Sequence, residues 1–336
     1  MTLPAREADA AAKPPRIGLL DTARGVALIA MATYHFSWDL EYMHYLPPGA
    51  AEGGWLKIYA RVIATTFLFI VGVSLVLASR PEIRWTSFWK RLGMIAGAAA
   101  VISAATRYFM PDEWIYFGIL HCIAVLSLIG VVFLRLPLAL TLLAALALLA
   151  AWIADSFIMP GILDWHLFDP KYLAWLGFAA TPDRSNDYVP LFPWAVPFFV
   201  GISLARLAFL TTLPQRLAAF GTGGTWLARI GRHSLAFYLI HQPVLIAIAF
   251  GLTFIIARPQ PDPAVYLRQC NTACTVEQGE AICHSFCQCT LDQMQAQQLF
   301  APFQWGTVKG DDERITALAS QCSAEIEPAP APQPQQ

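Results

Sequence analysis

The sequence predicts an all-α protein, built as a polytopic bundle of transmembrane helices. Of its 336 residues, 57% are hydrophobic and only 13% are charged, a composition outside the range of soluble globular chains. Seven segments are apolar over about the length that crosses a bilayer: 23–44, 59–79, 88–107, 115–134, 136–154, 189–210 and 234–256. No basic stripe or zinc-finger spacing indicates nucleic-acid binding.

The distribution of basic residues predicts how these spans are oriented. Four basic residues lie between the second and third spans: Arg80, Arg84, Lys90 and Arg91. The long loop at 155–188 has only Lys171 and Arg184. The positive-inside rule therefore places the N-terminus inside and the C-terminus outside, as an odd number of spans requires. We expect a multi-pass protein of a bacterial inner membrane, with its C-terminal segment in the periplasm.

Composition divides the chain into four segments. Residues 1–15 are polar and rich in Ala and Pro, which predicts a disordered cytoplasmic tail. Residues 16–257 form the transmembrane domain, and its first apolar run is expected to be an uncleaved anchor because no convincing cleavage site follows it. After an RPQPDP linker, residues 258–324 are cysteine-rich, and residues 325–336 read as a disordered tail rich in Pro, Gln and Ala.

Six of the seven cysteines lie after residue 257 and predict a disulfide-linked helical hairpin. Cys270 and Cys274 are one helical turn apart, as are Cys283 and Cys287. Two such helices packed antiparallel would pair Cys270 with Cys287 and Cys274 with Cys283. The third bridge would then join Cys289 to Cys322. Many other connectivities remain open, as does a metal site that includes His284, although an oxidising periplasm favours disulfides.

Four polar residues stand out at the head of the first span and along it: Asp21, Arg24, His35 and Asp39. Each costs about 2.5–3.5 kcal/mol at the centre of a bilayer, so such residues usually face a cavity or a partner. Asp39 follows His35 by four residues, which places both on one helix face. A carboxylate there can orient the imidazole and raise its basicity, as a general base or nucleophile requires.

His121 and His241 also lie inside predicted spans. One reading makes them catalytic partners of His35, and the other makes all three histidines hydrogen-bonded packing elements between helices. Asp21 and Arg24 likewise form either a local ion pair or, joined by Arg91 or Arg232, a site for a phosphate-bearing cofactor.

Two further features have simple structural readings. Four glycines are expected to be close-packing points between helices: Gly72, Gly118, Gly201 and Gly251. The aromatic residues of the 155–188 loop, Trp165, Tyr172 and Trp175, form either an interfacial belt or a lid that stacks on a sugar ring.

Several blocks carry a family resemblance. DTARG at 21–25, MATYHF at 31–36 and FLFIVGVSL at 67–75 resemble the start of the heparan-alpha-glucosaminide N-acetyltransferase-like catalytic domain family. YFGILHCIAV at 116–125, DYVPLFPWAVPFFVGISLAR at 187–206 and GRHSLAFYLIHQPVL at 231–245 resemble its later blocks. Together they cover nearly all of the membrane domain.

The resemblance implies an acyltransferase that moves an acetyl group from cytoplasmic acetyl-CoA to an extracytoplasmic glycan or envelope acceptor, without a metal. It points to nine residues: Asp21, Arg24, His35, His121, Asp187, Ser234, Tyr238, His241 and Gln242. The expected catalytic residues are His35, Asp39, His121 and His241. The expected cofactor-binding residues are Asp21, Arg24, Arg91 and Arg232. The expected substrate-binding residues are Asp187, Tyr188 and Trp194.

Two other classes of function remain open. In a transporter of a small polar or glycan precursor, the same histidines would relay protons or contact the substrate. The absence of a convincing internal repeat argues against this class, since many transporters contain one. In a membrane scaffold, the cysteine-rich segment would recruit an envelope partner. The sequence leaves open whether two copies associate as a homodimer.

Overall fold

A computed structural model describes residues 17–47, 49–219, 221–275 and 279–326. Within these ranges every regular element is helical, so the predicted all-α class is confirmed. The tail predicted at 1–15 lies outside the described residues. The last helix runs to Ile326, two residues into the tail predicted at 325–336, and residues 327–336 lie outside the described part.

Seven helices correspond to the seven predicted spans: α1 (Gly18–Tyr42), α2 (Gly54–Ala78), α3 (Trp85–Phe109), α4 (Ile119–Arg135), α5 (Leu138–Ile153), α7 (Leu191–Ala208) and α10 (Ser234–Leu252). Three short helices lie among them: α6 (Lys171–Ala174), α8 (Leu213–Ala219) and α9 (Trp226–Arg232). A π-helical turn, Ala154–Ile158, extends α5. Four helices follow: α11 (Pro263–Cys274), α12 (Glu280–Ala296), α13 (Phe300–Gln304) and α14 (Glu313–Ile326).

Five helices of the described chain are long and apolar enough to cross a membrane: α2, α3, α5 with its π-helical extension, α7 and α10. The apolar α4 has only 17 residues. α1 is not among the five and carries Asp21, Arg24, Asp39 and Glu41. The helices identify a membrane protein, whereas the count of seven spans and the N-in, C-out orientation stay predictions.

The chain forms two compact units. Among the described residues, the first comprises 17–36 and Ala51–Ile246, and the second comprises Ser37–Ala50 and 247–326. The cysteine-rich segment therefore belongs to a unit that also contains Ser37–Ala50. The four-segment division drawn from composition stays a prediction.

In the first unit, α2 and α7 pack closely at a pair of glycines. A Cβ on Gly72 would collide with the backbone oxygen of Phe198, and a Cβ on Gly201 would collide with that of Phe69. Phe198 itself is fully buried in the core between these helices. The predicted packing role is correct for both glycines but wrong for Gly251, because no atom lies within 4 Å of its Cβ position.

The second unit is held by three disulfide bonds and a small apolar core. The bridges join Cys270 to Cys287, Cys274 to Cys283 and Cys289 to Cys322, the pairing that the helical spacing favoured. The core includes Leu291, Met294, Leu299, Phe300 and Leu318. The Tyr45 hydroxyl donates a hydrogen bond of 2.6 Å to the Ile256 carbonyl, which fastens the segment after α1 to this unit.

Removing the Cys289–Cys322 bridge is expected to destabilise the second unit more than removing Cys274–Cys283. The two bridges span 33 and 9 residues, and loop entropy assigns them about 3–4 and about 2–3 kcal/mol. Hydrogen exchange of α12 and α14 in the two double serine variants would measure the difference. Equal loss of protection in both variants would contradict the entropic account.

Candidate functional site

Arg24 lies at the N-terminal end of α1 and is held by three neighbours. Its guanidinium forms an ion pair of 3.2 Å with Asp21, donates to the Ser74 hydroxyl at 2.8 Å and donates to the Gly231 carbonyl at 3.4 Å. The expected Asp21–Arg24 pair is therefore present. Ser74 was missed, although a single serine inside the apolar run of α2 is a signal that could have indicated it.

Close backbone contact between α1 and α9 makes the arginine position possible. A Cβ on Gly25 would collide with the Leu227 carbonyl, and a Cβ on Gly231 would collide with the Asp21 carbonyl. The missing side chains let the two helices approach until the Gly231 carbonyl reaches Arg24. These two glycines therefore build one wall of the arginine site.

The other arginines expected at this site have separate surroundings. Arg91 of α3 lines a cavity of about 230 Å³ together with Arg84, Ser87 and Ser127. Its guanidinium lies near enough to that of Arg24 for the two charges to repel each other. Arg232 donates a 2.8 Å hydrogen bond to the Gly223 carbonyl. The structure thus associates Arg91 with Arg24 electrostatically and gives Arg232 a backbone partner of its own.

One face of α1 connects the arginine site to His35. Eleven residues separate Arg24 from His35, which is three turns and about 16 Å along the helix axis. Leu28 and Met31 occupy that face between them, are 1% and 6% exposed, and pack with Ile63 of α2. The buried apolar side chains of Leu28 and Met31 therefore separate the arginine end of α1 from the histidine end.

His35 and His241 form a pair at the other end of this face. Their ring centroids are 5.1 Å apart and the rings meet edge to face at 60°. Phe237 stacks parallel to the His241 ring, with 6.2 Å between centroids. The sequence named both histidines but gave no reason to place their rings in contact, because they come from helices at opposite ends of the chain.

The hydrogen bond of His241 defines its reactive nitrogen. Its Nδ1 lies 2.6 Å from the Tyr238 carbonyl, and since a carbonyl can only accept, Nδ1 carries the proton of the neutral ring. Nε2 then presents a lone pair. His241 is 8% exposed, and no described residue gives Nε2 a hydrogen bond. A buried, unpaired imidazole nitrogen of this kind is suited to accept a proton or attack a carbonyl.

Asp187 links α4 to α10 next to this pair. Its Oδ2 accepts a 2.9 Å hydrogen bond from the Ile119 N–H and a 3.4 Å hydrogen bond from the Tyr238 hydroxyl. Burial raises the pKa of the Asp187 carboxyl, and these hydrogen bonds oppose the rise. A Cβ on Gly118 would collide with the carboxylate, so this glycine makes room for a side chain of the loop before α7 and not, as expected, for a neighbouring helix. Tyr238 joins this network to His241, because its hydroxyl donates to Asp187 and its carbonyl lies 2.6 Å from His241 Nδ1.

His121 has both ring nitrogens engaged in hydrogen bonds. Nδ1 accepts from the Gly118 N–H at 3.2 Å, so the neutral ring carries its proton on Nε2, which lies 3.2 Å from the Ser103 hydroxyl. Ser103 in turn donates to the Ile115 carbonyl at 2.6 Å. This arrangement fixes the start of α4 and leaves His121 no free nitrogen in the described chain.

The remaining expected residues lie in several different elements. Asp39 sits one turn beyond His35 on α1 and is 3% exposed. The Tyr188 hydroxyl donates to the Ala174 carbonyl at 2.7 Å, and Trp194 packs against the main core. Ser234 begins α10, and Gln242 follows His241 on it. In the long loop, Trp165 and Tyr172 are exposed, whereas Trp175 packs against Phe117.

Replacing Asp187 with alanine is expected to destabilise the first unit by about 1–3 kcal/mol, because the buried Tyr238 hydroxyl and Ile119 N–H would lose their acceptor. Asp187→Asn keeps an acceptor oxygen and should be milder. Thermal unfolding of the detergent-solubilised variants would measure both. The role assigned to Asp187 would be contradicted if the two substitutions were equally harmless.

Comparison with known proteins gives one family. The model of the catalytic domain of heparan-alpha-glucosaminide N-acetyltransferase matches residues 16–243, well over half of the chain. Neither a curated protein nor a solved structure matches significantly. The matched region contains the arginine site, the histidine pair and Asp187.

Proposed function

Because this chain belongs to the heparan-alpha-glucosaminide N-acetyltransferase catalytic family, we propose that it moves an acetyl group from acetyl-CoA at one membrane face to an amine or hydroxyl of a glycan at the other. The family match assigns the chain to a family of membrane acetyltransferases. The donor, the acceptor and the part played by the histidines are our proposal. The observation that carries it is the ring contact between His35 and the buried His241, whose Nε2 receives no hydrogen bond from the described residues.

We assign the donor to the arginine end of α1. Guanidinium groups bind phosphate oxygens through paired hydrogen bonds, and Arg24 and Arg91 bring two of them into one neighbourhood. Asp21 and Ser74 orient Arg24, and Arg232 lies next to Gly231 on α9. The predicted orientation makes this the cytoplasmic end, where acetyl-CoA is available.

The transfer step requires a base close to the acceptor. The acceptor nitrogen or oxygen attacks the thioester carbonyl, its proton passes to an imidazole nitrogen, and the carbon–sulfur bond breaks. The departing thiolate takes up that proton, so atoms and charges balance. His241 Nε2 and the ring of His35 are the groups placed for this work. A second route, in which a histidine first takes the acetyl group itself, uses the same nitrogen.

Other residues support the pair rather than react. Asp39 follows His35 by four residues on α1, and its catalytic role stays an expectation from the sequence. His121 is proposed as a positioning residue for the start of α4, because both of its nitrogens are occupied. Asp187, Tyr188 and Trp194 are proposed to face the acceptor. The thioester reaches the histidines only when Leu28 and Met31 move aside, since these side chains fill the face of α1 between the two ends.

The proposed location is the inner membrane of a bacterium with the C-terminus in the periplasm. The three disulfides of the second unit support a periplasmic C-terminus, because disulfide bonds persist in oxidising compartments. The acceptor would then be a glycan or another envelope molecule.

The proposal is tested with purified protein in lipid nanodiscs, acetyl-CoA labelled in the acetyl group and two acceptors. Glucosamine offers an amine and hydroxyls, whereas N-acetylglucosamine offers hydroxyls alone. Label in the first product only indicates N-acetylation, and label in both indicates O-acetylation. If folded protein transfers label to neither sugar nor to extracted envelope glycans, acetyl transfer to a glycan is wrong.

A further inference from the structure

A cleft of about 600 Å³ lies where α2, α4 and α7 end and α3 begins. Three arginines line it: Arg80 in the turn after α2, Arg135 at the end of α4 and Arg206 near the end of α7. Glu82 is the acidic residue of the lining. All of these residues belong to the first unit.

Arg206 explains why the helix ends meet here. It donates to the Phe133 carbonyl at 2.9 Å, the Leu136 carbonyl at 2.8 Å and the Thr141 hydroxyl at 2.7 Å. The last turn of α4 leaves carbonyls without helical partners, and Arg206 satisfies two backbone oxygens in this region. Arg206 therefore has a structural role, and it also adds positive charge to the lining of the cleft.

Arg80 and Arg135 are different because neither is bound to a counter-charge. Arg80 lies over the Phe209 ring at 4.3 Å and Arg135 over the Trp85 ring at 4.9 Å. In the described residues no carboxylate lies within 4.0 Å of either guanidinium. Stacking on a ring holds a guanidinium in place and leaves its N–H edge free to bind an anion.

Apolar side chains line the cleft beside these arginines. Val76, Ile83 and Leu134 line it, and Trp85 and Trp89 at the start of α3 are 38% and 55% exposed. Tryptophans at such positions sit at the headgroup level of a bilayer. The smaller cavity that holds Arg84 and Arg91 shares Ser79 and Ile83 with the cleft, which extends the positive surface.

We infer that this cleft binds the phosphate group of an anionic membrane phospholipid. The unpaired guanidinium edges fit a phosphate, the apolar walls fit the start of an acyl chain, and the exposed tryptophans place both at the membrane surface. The positive-inside orientation puts the cleft at the leaflet surface that attracts anionic lipids. This inference does not depend on the acetyl transfer proposed above, and its site uses neither Arg24 nor the histidines.

The test compares lipid binding by three forms of the full-length protein in nanodiscs. The forms are wild type, the Arg80→Gln/Arg135→Gln variant and a matched Arg61→Gln/Arg107→Gln control, whose exposed arginines lie away from the cleft near the opposite ends of α2 and α3. Native mass spectrometry counts retained phosphatidylglycerol and phosphatidylcholine. Each cleft arginine removed should weaken phosphatidylglycerol binding about fivefold, and both together about thirtyfold, while the control stays at the wild-type level.

Competition on the wild-type protein separates lipid from other phosphates and does not require any variant to fold. Phosphatidylglycerol should remain bound in the presence of equimolar pyrophosphate. Displacement by pyrophosphate would show that a soluble phosphate compound is the occupant and would overturn the lipid assignment. Equal retention of phosphatidylcholine and phosphatidylglycerol, or unchanged binding in the cleft variant, would overturn it as well.

Discussion

Replacing His35 with alanine is expected to lower the rate of acetyl transfer by about 10²- to 10⁴-fold, the usual contribution of a positioned acid–base group. The physical reason is its contact with His241, whose ring centroid is 5.1 Å away and whose Nε2 is buried without a hydrogen bond to the described residues. Single-turnover transfer from labelled acetyl-CoA at saturating donor would measure the loss.

Substitutions at His241 identify which nitrogen matters. Glutamine places an acceptor oxygen near the position of Nε2, whereas asparagine replaces only the Nδ1 side that bonds to the Tyr238 carbonyl. Neither amide can take up a proton as an imidazole does, so both variants should lose acetyl transfer, and His241→Asn should keep the hydrogen bond to the Tyr238 carbonyl. His121→Ala serves as the matched control, because this ring is fully hydrogen-bonded and its loss should lower stability more than the rate of transfer. A His35→Ala protein that transfers acetyl at the wild-type rate would exclude the histidine mechanism.

Replacing Arg24 with alanine should weaken donor binding by about 10- to 100-fold, the range for losing one hydrogen bond to a charged group. The guanidinium is positioned by Asp21, Ser74 and the Gly231 carbonyl, so a lysine, which lacks the planar fork, should restore only part of the loss. Equilibrium binding of labelled acetyl-CoA to the detergent-solubilised protein would measure the effect.

The control for Arg24 is Arg229→Ala, which removes an exposed arginine from α9. The predicted outcome is wild-type binding in Arg229→Ala and a large loss in Arg24→Ala. If both variants bind equally well and both remain folded, the arginine end of α1 is not the donor site, and the Asp21–Arg24 pair serves the packing of α1 against α9.

The disulfide pairing shows how much local rules can predict. Cys270 and Cys274 share a helix face, as do Cys283 and Cys287, and the antiparallel hairpin that the spacing favoured among the possible connectivities is the one present. Apolar length also predicted the five helices that are long enough to cross a membrane, whereas the count of seven spans stays a prediction. The same local reasoning was wrong for Gly251, because a glycine in an apolar helix need not lie against a neighbouring helix.

The histidine pair could not be predicted because it depends on tertiary structure. His35 and His241 are both visible as polar residues in apolar runs, yet nothing in either run specifies the 60° edge contact of their rings. The hydrogen bonds of His121 and the Arg24–Ser74 contact likewise depend on which helix turns lie side by side. Sequence identifies costly polar residues in a membrane, and the packing of helices decides which of them meet.

Transfer across a sealed bilayer would test the central claim most directly. Wild-type protein would be reconstituted into proteoliposomes that enclose an amino sugar, and acetyl-CoA labelled in the acetyl group would be added outside only. We expect labelled N-acetyl sugar to accumulate inside, with intact coenzyme A remaining outside and no accumulation in His35→Ala vesicles. Label that reaches the sugar only after the vesicles are opened with detergent would contradict transfer from the arginine end of α1 to the histidine end.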